Sequence, residues 1–324
     1  MRFFPKPRVV VSKCLEFDAC RYNGDVLKDL TVRSLMPYVE FIPICPEVEI
    51  GLGTPRETIR LVDSRNGPRL VQPSTKKDLT EKMDVFSNEF FHSFPEIDGF
   101  ILKNRSPSCG TRDVRIYTRM EKSPVKGKGS GIFGGNVLEK YGHLAVEEEG
   151  RLTNFTIREH FLTKLYTLAA FRLIKQDATI QKLIHFHSEN KYLFMAYNQT
   201  RLKMMGRILA NHKQYNHFDE VVLDYEEQMH FMFQKAARYT SNINVCQHIM
   251  GYFSDDLTKK ERDYFLHMLN RYKERKIPLS NLLSILKSWI IRFDNDYLLQ
   301  QSFFEPYPED LIQMSDSGKG KDYA

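Results

Sequence analysis

No apolar run in this chain approaches the ~20 residues that a membrane-spanning helix needs, so no span is expected. The basic start, Met1-Arg2-Phe3-Phe4-Pro5-Lys6-Pro7-Arg8, has no apolar stretch leading to a small-residue cleavage site, and the expected location is cytoplasmic. There is no internal repeat. There is no CxxC pair either, although structural zinc sites often draw their ligands from such local pairs. The five cysteines, Cys14, Cys20, Cys45, Cys109 and Cys246, are an odd number, which speaks against a disulfide framework.

What is present suits a globular protein of two domains: 324 residues, 42% of them hydrophobic and 27% charged. A formal net charge of +6 permits an acidic partner, nucleic acid included, without requiring one. Four of the five cysteines lie within about the first third of the chain, by residue 109, a bias that calls for a physical reason.

The first half alternates strand-like and helix-like stretches. Arg8–Ser12 is a short β-branched run followed by Lys13-Cys14-Leu15. A helical stretch over Thr31–Tyr38 leads into the strand-like Val39–Ile44 and then Cys45-Pro46-Glu47. Another helix is expected over Leu79–Phe94, with Asp78 or Thr80 as its N-cap, and it precedes the apolar Phe100-Ile101-Leu102. Such alternation predicts an α/β domain with a doubly wound, Rossmann-like parallel sheet. Three of its strands then end in a cysteine: Cys14, Cys45 and Cys109. Parallel neighbours place their carboxyl ends along one edge, where ligands collect in open α/β sheets.

The segment Gly127–Gly135 contains a formal GxGxxG, from Gly129 to Gly134. A dinucleotide site needs an apolar strand just before that motif, and here the approach is polar and basic. A flexible loop over a site, or one touching phosphate through Lys126 and Lys128, is the better expectation. From about Asn154 onward amphipathic helical patterns take over: Ile157–Ile174, Lys182–Ala196, Gln199–His212, Phe218–Tyr239, and further stretches starting near Val245, Thr258 and Ser280. The expected layout is an α/β domain over residues 1–153, an all-α domain over 154–314, and a polar tail over 315–324.

Thiolates select soft metals, with zinc and iron–sulfur the usual outcomes. Three cysteines on an iron–sulfur cluster leave one iron without a protein thiolate and open to a substrate atom. Cys20 ranks behind the other three, because it sits in a polar turn and not at a strand end. Unligated packing is the alternative for each cysteine taken singly. Glu47, two residues past Cys45, and Ser106, three before Cys109, fall near the same edge; a carboxylate there can move protons to or from water, and a hydroxyl can orient it. Arg56 and Lys103 are candidates either for binding an anion or for structural ion pairs.

Several of these stretches, Val11-Ser12-Lys13-Cys14-Leu15, Cys20-Arg21-Tyr22-Asn23-Gly24, Cys45-Pro46-Glu47, Thr54-Pro55-Arg56 and Ser106-Pro107-Ser108-Cys109-Gly110, resemble in order the signature of the thiouracil desulfidase family, DUF523. The resemblance covers about the first 150 residues. It implies a compact α/β domain with a 4Fe–4S cluster held by Cys14, Cys45 and Cys109, whose open iron binds the substrate sulfur. It also places the catalytic Glu and Ser on Glu47 and Ser106. Lys13 and Glu16-Phe17 depart from the small or apolar residues usual in the first motif.

The helical half is similar to a second family, DUF1722, through His185-Phe186-His187, Asn244-Val245-Cys246-Gln247-His248, Gly251-Tyr252-Phe253, Ile277-Pro278-Leu279 and Glu305-Pro306-Tyr307-Pro308. Chains joining both halves resemble bacterial desulfidases that remove sulfur from 4-thiouridine in tRNA. The implied reaction is non-redox and hydrolytic and yields uridine. The helical half would then hold RNA, with Arg201, Lys203, Arg207, Lys213, Arg271, Lys273, Arg275 and Lys276 as candidate phosphate contacts. His185, His187 and His248 are expected in packing or RNA contact and not at a second metal site. Two rivals stand beside this expectation. One is a nucleic-acid-binding or regulatory protein that uses a cluster only to sense oxygen or support its fold. The other is a desulfidase acting on free thiouracil.

Overall fold

The structure is a computed structural model describing residues 2–312; the polar tail expected over 315–324 lies outside them. Its contacts divide the chain into two compact units, one built on Pro5–Arg172 and one on Leu173–Glu309. The change of sequence texture at 151–153 and this packing boundary differ by one helix, Phe155–Gln176. That helix presents Leu162, Leu165 and Ala169 as buried residues, and its Arg172 pairs with the buried Asp98 at 3.1 Å within the first unit.

The first unit holds two sheets. Its strands are β1 (Arg8–Ser12), β2 (Glu40–Ile44), β3 (Arg60–Val62), β4 (Arg69–Gln72), β5 (Lys77–Asp78), β6 (Gly99–Leu102), β7 (Val114–Tyr117), β8 (Val125–Gly129) and β9 (Ala145–Glu148). The parallel sheet has the order β2-β1-β6-β9. Central β1 and β6 are continuous apolar runs because both of their faces are covered, as parallel strands require. Val10 lies opposite Ile42 on one side and Phe100 on the other, so β1, β2 and β6 end level with one another. The loops leaving these three strands therefore emerge on the same edge.

The helix expected over Leu79–Phe94 runs over Thr80–Ser93 with Leu79 at the N-cap. Neither proposed capping side chain fills that role in the usual way. Asp78 accepts from the Thr80 N–H at 3.0 Å, while the Thr80 hydroxyl accepts from the Leu70 N–H at 2.9 Å and ties the helix start to β4. The second sheet, β5-β4-β3-β7-β8, is mixed, with only β3 and β7 parallel.

The glycine-rich stretch is not a free loop. Its first part is β8, and Gly131 then caps the helix Ile132–Tyr141. The Gly131, Ile132 and Gly134 N–H groups donate to the carbonyls of Gly110, Pro107 and Ser108 at 2.7, 3.2 and 2.9 Å. A Cβ at Gly134 would stand 2.4 Å from the Gly110 oxygen, and one at Gly131 2.5 Å from the Ser108 oxygen. These glycines let a helix start lie against the backbone of the cysteine-bearing loop.

The second unit is all helical. The stretch read as Lys182–Ala196 is two helices, Ile180–Glu189 and Lys191–Tyr197. They part at Asn190, which donates to the Phe186 carbonyl at 2.8 Å and accepts from the Ser302 hydroxyl at 2.6 Å. The pattern read over Phe218–Tyr239 ends at Met232, and the next helix runs Tyr239–Gly251. Lys259–Lys273 begins with a capping box from Thr258 and Glu261. Val245, Cys246, Ile249, Phe265, Leu286 and Trp289 form the middle of an apolar core.

Candidate thiol site

At the carboxyl edge of the parallel sheet lies a cavity of about 330 Å3, lined among others by Cys14, Cys20, Cys45, Cys109, Glu47, Arg56, Ser12, Ser106 and Ser108. Each wall has a local cause. Past β1, the Lys13 N–H continues the ladder to the Ile44 carbonyl at 2.8 Å, which brings Cys14 beside the end of β2. Cys45 directly follows β2 and serves as N-cap of a single helical turn, Pro46–Glu49. Pro46 fits the first helical position because no N–H is needed there, and the turn swings Glu47 back over the edge. After β6 the chain makes a tight loop, with Arg105 at φ 55° and the Gly110 N–H closing on the Ser106 carbonyl at 2.9 Å.

Glu47 is the hub. It is buried, and both carboxylate oxygens are engaged. Oε2 accepts from Arg56 Nε at 2.9 Å and Nη2 at 2.7 Å, a two-pronged pair. Oε1 accepts from the Ser108 hydroxyl at 2.6 Å, with the Ser106 hydroxyl at 3.4 Å. The two serine hydroxyls are 2.9 Å apart. Arg56 also donates to the carbonyls of Cys20 and Gly53, each at 2.9 Å, so its guanidinium fixes the turn carrying Cys20 as well. Of the two cations considered from sequence, Arg56 is thus spent on Glu47, and Lys103 on Glu149 at 2.5 Å.

Cys109 is buried, with the Ser108 hydroxyl 3.7 Å from its sulfur and the Ser106 hydroxyl accepting from its N–H at 3.2 Å. Burial pushes its thiol up to about 12, the nearby Cys45 and Glu47 add to this, and hydrogen bonds from Ser12 and Ser108 oppose it. Cys45 is also pushed up, first by its hydrogen bond with Cys20 and then by burial. Cys20, raised to about 11, shares hydrogen bonds with Cys14 and Cys45. The thiol ranked last from sequence is therefore in the cavity with the others.

Among the described residues no three His, Cys, Asp or Glu side chains converge tightly enough for a single metal ion. An iron–sulfur cluster makes a different demand, since it presents separate irons to separate thiolates. Soft donors spaced around a cavity fit such a cluster. Cys14, Cys45 and Cys109 could each hold one iron of a 4Fe–4S group, with Cys20 beside the first two.

Four groups escaped the sequence reading: Ser108, Ser12, Glu148 and Glu149. Ser12 accepts from the Lys103 N–H at 2.9 Å at the mouth of the loop. Glu149 takes the Asn104 N–H at 2.7 Å, and Glu148 takes the Thr111 N–H at 2.7 Å and the Arg112 N–H at 3.2 Å. Two buried carboxylates thus tie down both ends of the loop that carries Ser106, Ser108 and Cys109. A glutamate triplet, Glu147-Glu148-Glu149, ending a strand was the available signal.

In the helical unit, Arg201 is held by Gln228 at 2.7 Å and lies over the Phe231 ring, while Lys203, Arg207, Lys213, Arg271, Lys273, Arg275 and Lys276 are exposed. His187 packs inside, 3.0 Å from the Tyr225 hydroxyl, and burial lowers it to about 4. His185 is exposed beside Glu189. No helix among the described residues is long and apolar enough to cross a membrane.

Comparison with known proteins matches residues 9–149 to the 2-thiouracil desulfurase family model, and residues 191–308 to a protein family of unknown function, DUF1722. The uncharacterized protein YbgA of Escherichia coli (strain K12) is 24% identical over 158 residues, covering 48% of this chain and 93% of that one. The uncharacterized protein YbbK of Bacillus subtilis (strain 168) is 30% identical over 147 residues, covering 43% of this chain and 95% of that one. A solved structure, the 4Fe-4S-dependent thiouracil desulfidase TudS, superposes with a TM-score of 0.36 at 25% identity, over 45% of this chain and 93% of that one. Through its first 150 residues, the chain belongs to the 2-thiouracil desulfurase family.

Proposed function

We propose that this protein is a tRNA 4-thiouridine desulfidase of the cytoplasm. Residues 1–153 would carry the chemistry on a 4Fe–4S cluster held by Cys14, Cys45 and Cys109, and residues 154–314 would hold the RNA. The observation that carries the reading is Glu47, a buried carboxylate on the wall of a thiol-lined cavity with Arg56 behind it and two serine hydroxyls in front.

When bound, the cluster supplies a Lewis-acidic iron with no protein thiolate, which polarises the C–S bond of the thiocarbonyl. Glu47 accepts a proton from water as that water attacks the thiocarbonyl carbon, through Oε1, the oxygen facing the serines. Arg56 holds the other oxygen and fixes the carboxylate plane. Ser108 spans Glu47 and Ser106, so a proton taken by the carboxylate would have a hydroxyl path through Ser108 to Ser106. A C–O bond forms and a C–S bond breaks. Both protons of water leave with the sulfur as hydrogen sulfide, and no electrons are transferred. The formal charge of +6 favours RNA over an uncharged base.

Anaerobically reconstituted protein incubated with bulk tRNA should deplete 4-thiouridine and release sulfide, read by nucleoside analysis. Glu47→Gln should slow this roughly 10^2- to 10^4-fold while retaining iron. Loss of no thiouridine by a fully loaded protein would put the nucleic-acid-binding reading ahead, and turnover of free thiouracil alone would move the substrate to the base.

A further inference from the structure

The mixed sheet carries a second cavity of about 470 Å3, lined by Arg60, Arg105, Arg115, Tyr117, Lys128 and Asp113 among others. It shares Thr58, Ile59, Arg105 and Pro107 with the thiol cavity, so the two are contiguous. Four cations face one carboxylate.

The strand register makes this excess costly. Arg115 of β7 lies directly opposite Lys128 of β8, and like charges so placed repel. On the other side β3 pairs Leu61 with Ile116, and the same register sets Arg60 beside Arg115. Three cations thus form a row across three strands, about 10 Å long at the ~4.8 Å spacing of neighbouring strands. Compensation is partial. Lys128 meets Asp113 at 3.1 Å on the surface, and Arg60 lies 4.8 Å over the Tyr117 ring. Among the described residues neither Arg105 nor Arg115 has an ion-pair partner. Folding gains nothing from such a row, whereas an anion seated on it would.

We propose that this groove is a phosphate site, receiving the phosphate of the nucleotide whose base enters the thiol cavity; the identity of that nucleotide rests on the desulfidase reading above. Arg105, on the shared wall, stands where base and phosphate part. Arg115 and Lys128 take the phosphate oxygens, with Arg60 available to the next phosphate along a strand. The basic, glycine-flanked Lys128 segment thereby gains a role that a nucleotide-loop motif did not give it.

The test compares wild-type and R115Q/K128Q protein, both anaerobically reconstituted, on 4-thiouridine nucleoside, its 5′-monophosphate, and tRNA. The ratio of kcat/KM for monophosphate over nucleoside should fall about ten-fold or more in the variant, as expected for lost charge-assisted hydrogen bonds. The salt dependence of tRNA binding should become shallower by about two phosphate contacts. A loss confined to tRNA identifies a polymer phosphate as the ligand, and one shared with the monophosphate identifies the nucleotide's own. An unchanged ratio together with an unchanged salt slope overturns the site. Should the wild type turn over no thiouridine at all, calorimetric titration with inorganic phosphate and uridine monophosphate decides the site alone: heat lost in the variant supports it, and equal heat overturns it. R115Q alone should melt no lower than wild type, because it relieves the Arg115–Lys128 repulsion and leaves the Lys128–Asp113 pair intact, and R115K should retain the preference that R115Q/K128Q loses.

Discussion

Cys109 and Cys246 sit in two regions that bury a thiol equally well and use it differently. Both are buried, and burial pushes both to about 12. Cys246 lies in an apolar cluster with Val245, Ile249, Phe265 and Trp289. Around Cys109 there are two serine hydroxyls, a second thiol and a carboxylate, all facing one cavity. Burial by itself makes a thiol inert. What separates a packing cysteine from one fit for a metal is the company of other soft donors and of groups able to move a proton.

The sharpest way to break this contrast is to remove each thiol. Cys109→Ala should abolish iron retention, read as loss of bound iron and of visible absorbance after anaerobic reconstitution. Cys246→Ala should retain full iron and activity and cost only about 1 kcal/mol of stability. Equal iron loss in both would mean that the polar company of Cys109 is incidental.

Ser108→Ala comes next in size. It removes the shortest contact to Glu47 but no proposed iron ligand, and kcat should fall about 10- to 100-fold with iron unchanged. A change in KM alone would assign Ser108 to binding.

The smallest effect extends the comparison to buried charge. Arg172 is buried against Asp98, whereas Lys164, on the same helix, is buried without a described ion-pair partner and is lowered to about 8 by desolvation. Its folded value lies below the unfolded 10.5, so the cost of the buried ammonium is fully present below about pH 8 and is relieved as pH rises toward 10.5. Lys164→Met should therefore add on the order of 1–2 kcal/mol at pH 7 and flatten the rise in stability between those limits, measured by denaturant melts.

These contrasts explain what could be read from the chain. The parallel sheet was legible because Val9–Val11 and Phe100–Leu102 are apolar runs that stop abruptly at polar turns. The mixed sheet was not. Its strands are short, and Lys77–Asp78 and Val125–Gly129 owe their strand geometry to neighbours and not to their own composition. β9 escaped notice for a related reason: Glu148 looks like surface until the Thr111 and Arg112 amides are in place, and Glu147 until Arg151 meets it. In the candidate site, Cys14, Cys45, Cys109, Glu47 and Ser106 announced themselves by chemistry and position. Ser108 did not, since a hydroxyl becomes meaningful only once the loop conformation aims it at Glu47.

The ties from Glu148 and Glu149 to the cysteine-bearing loop also carry a message about timing. Every candidate iron ligand of the cavity has been synthesised by residue 109, yet the carboxylates that fix the last of them arrive some forty residues later, at the end of the outermost strand of the parallel sheet and just past it. A nascent chain halted between those points would own all its thiols and lack a formed receptacle. On the reading proposed above, a cluster would be held only once β9 and the residue that follows it have docked on this loop.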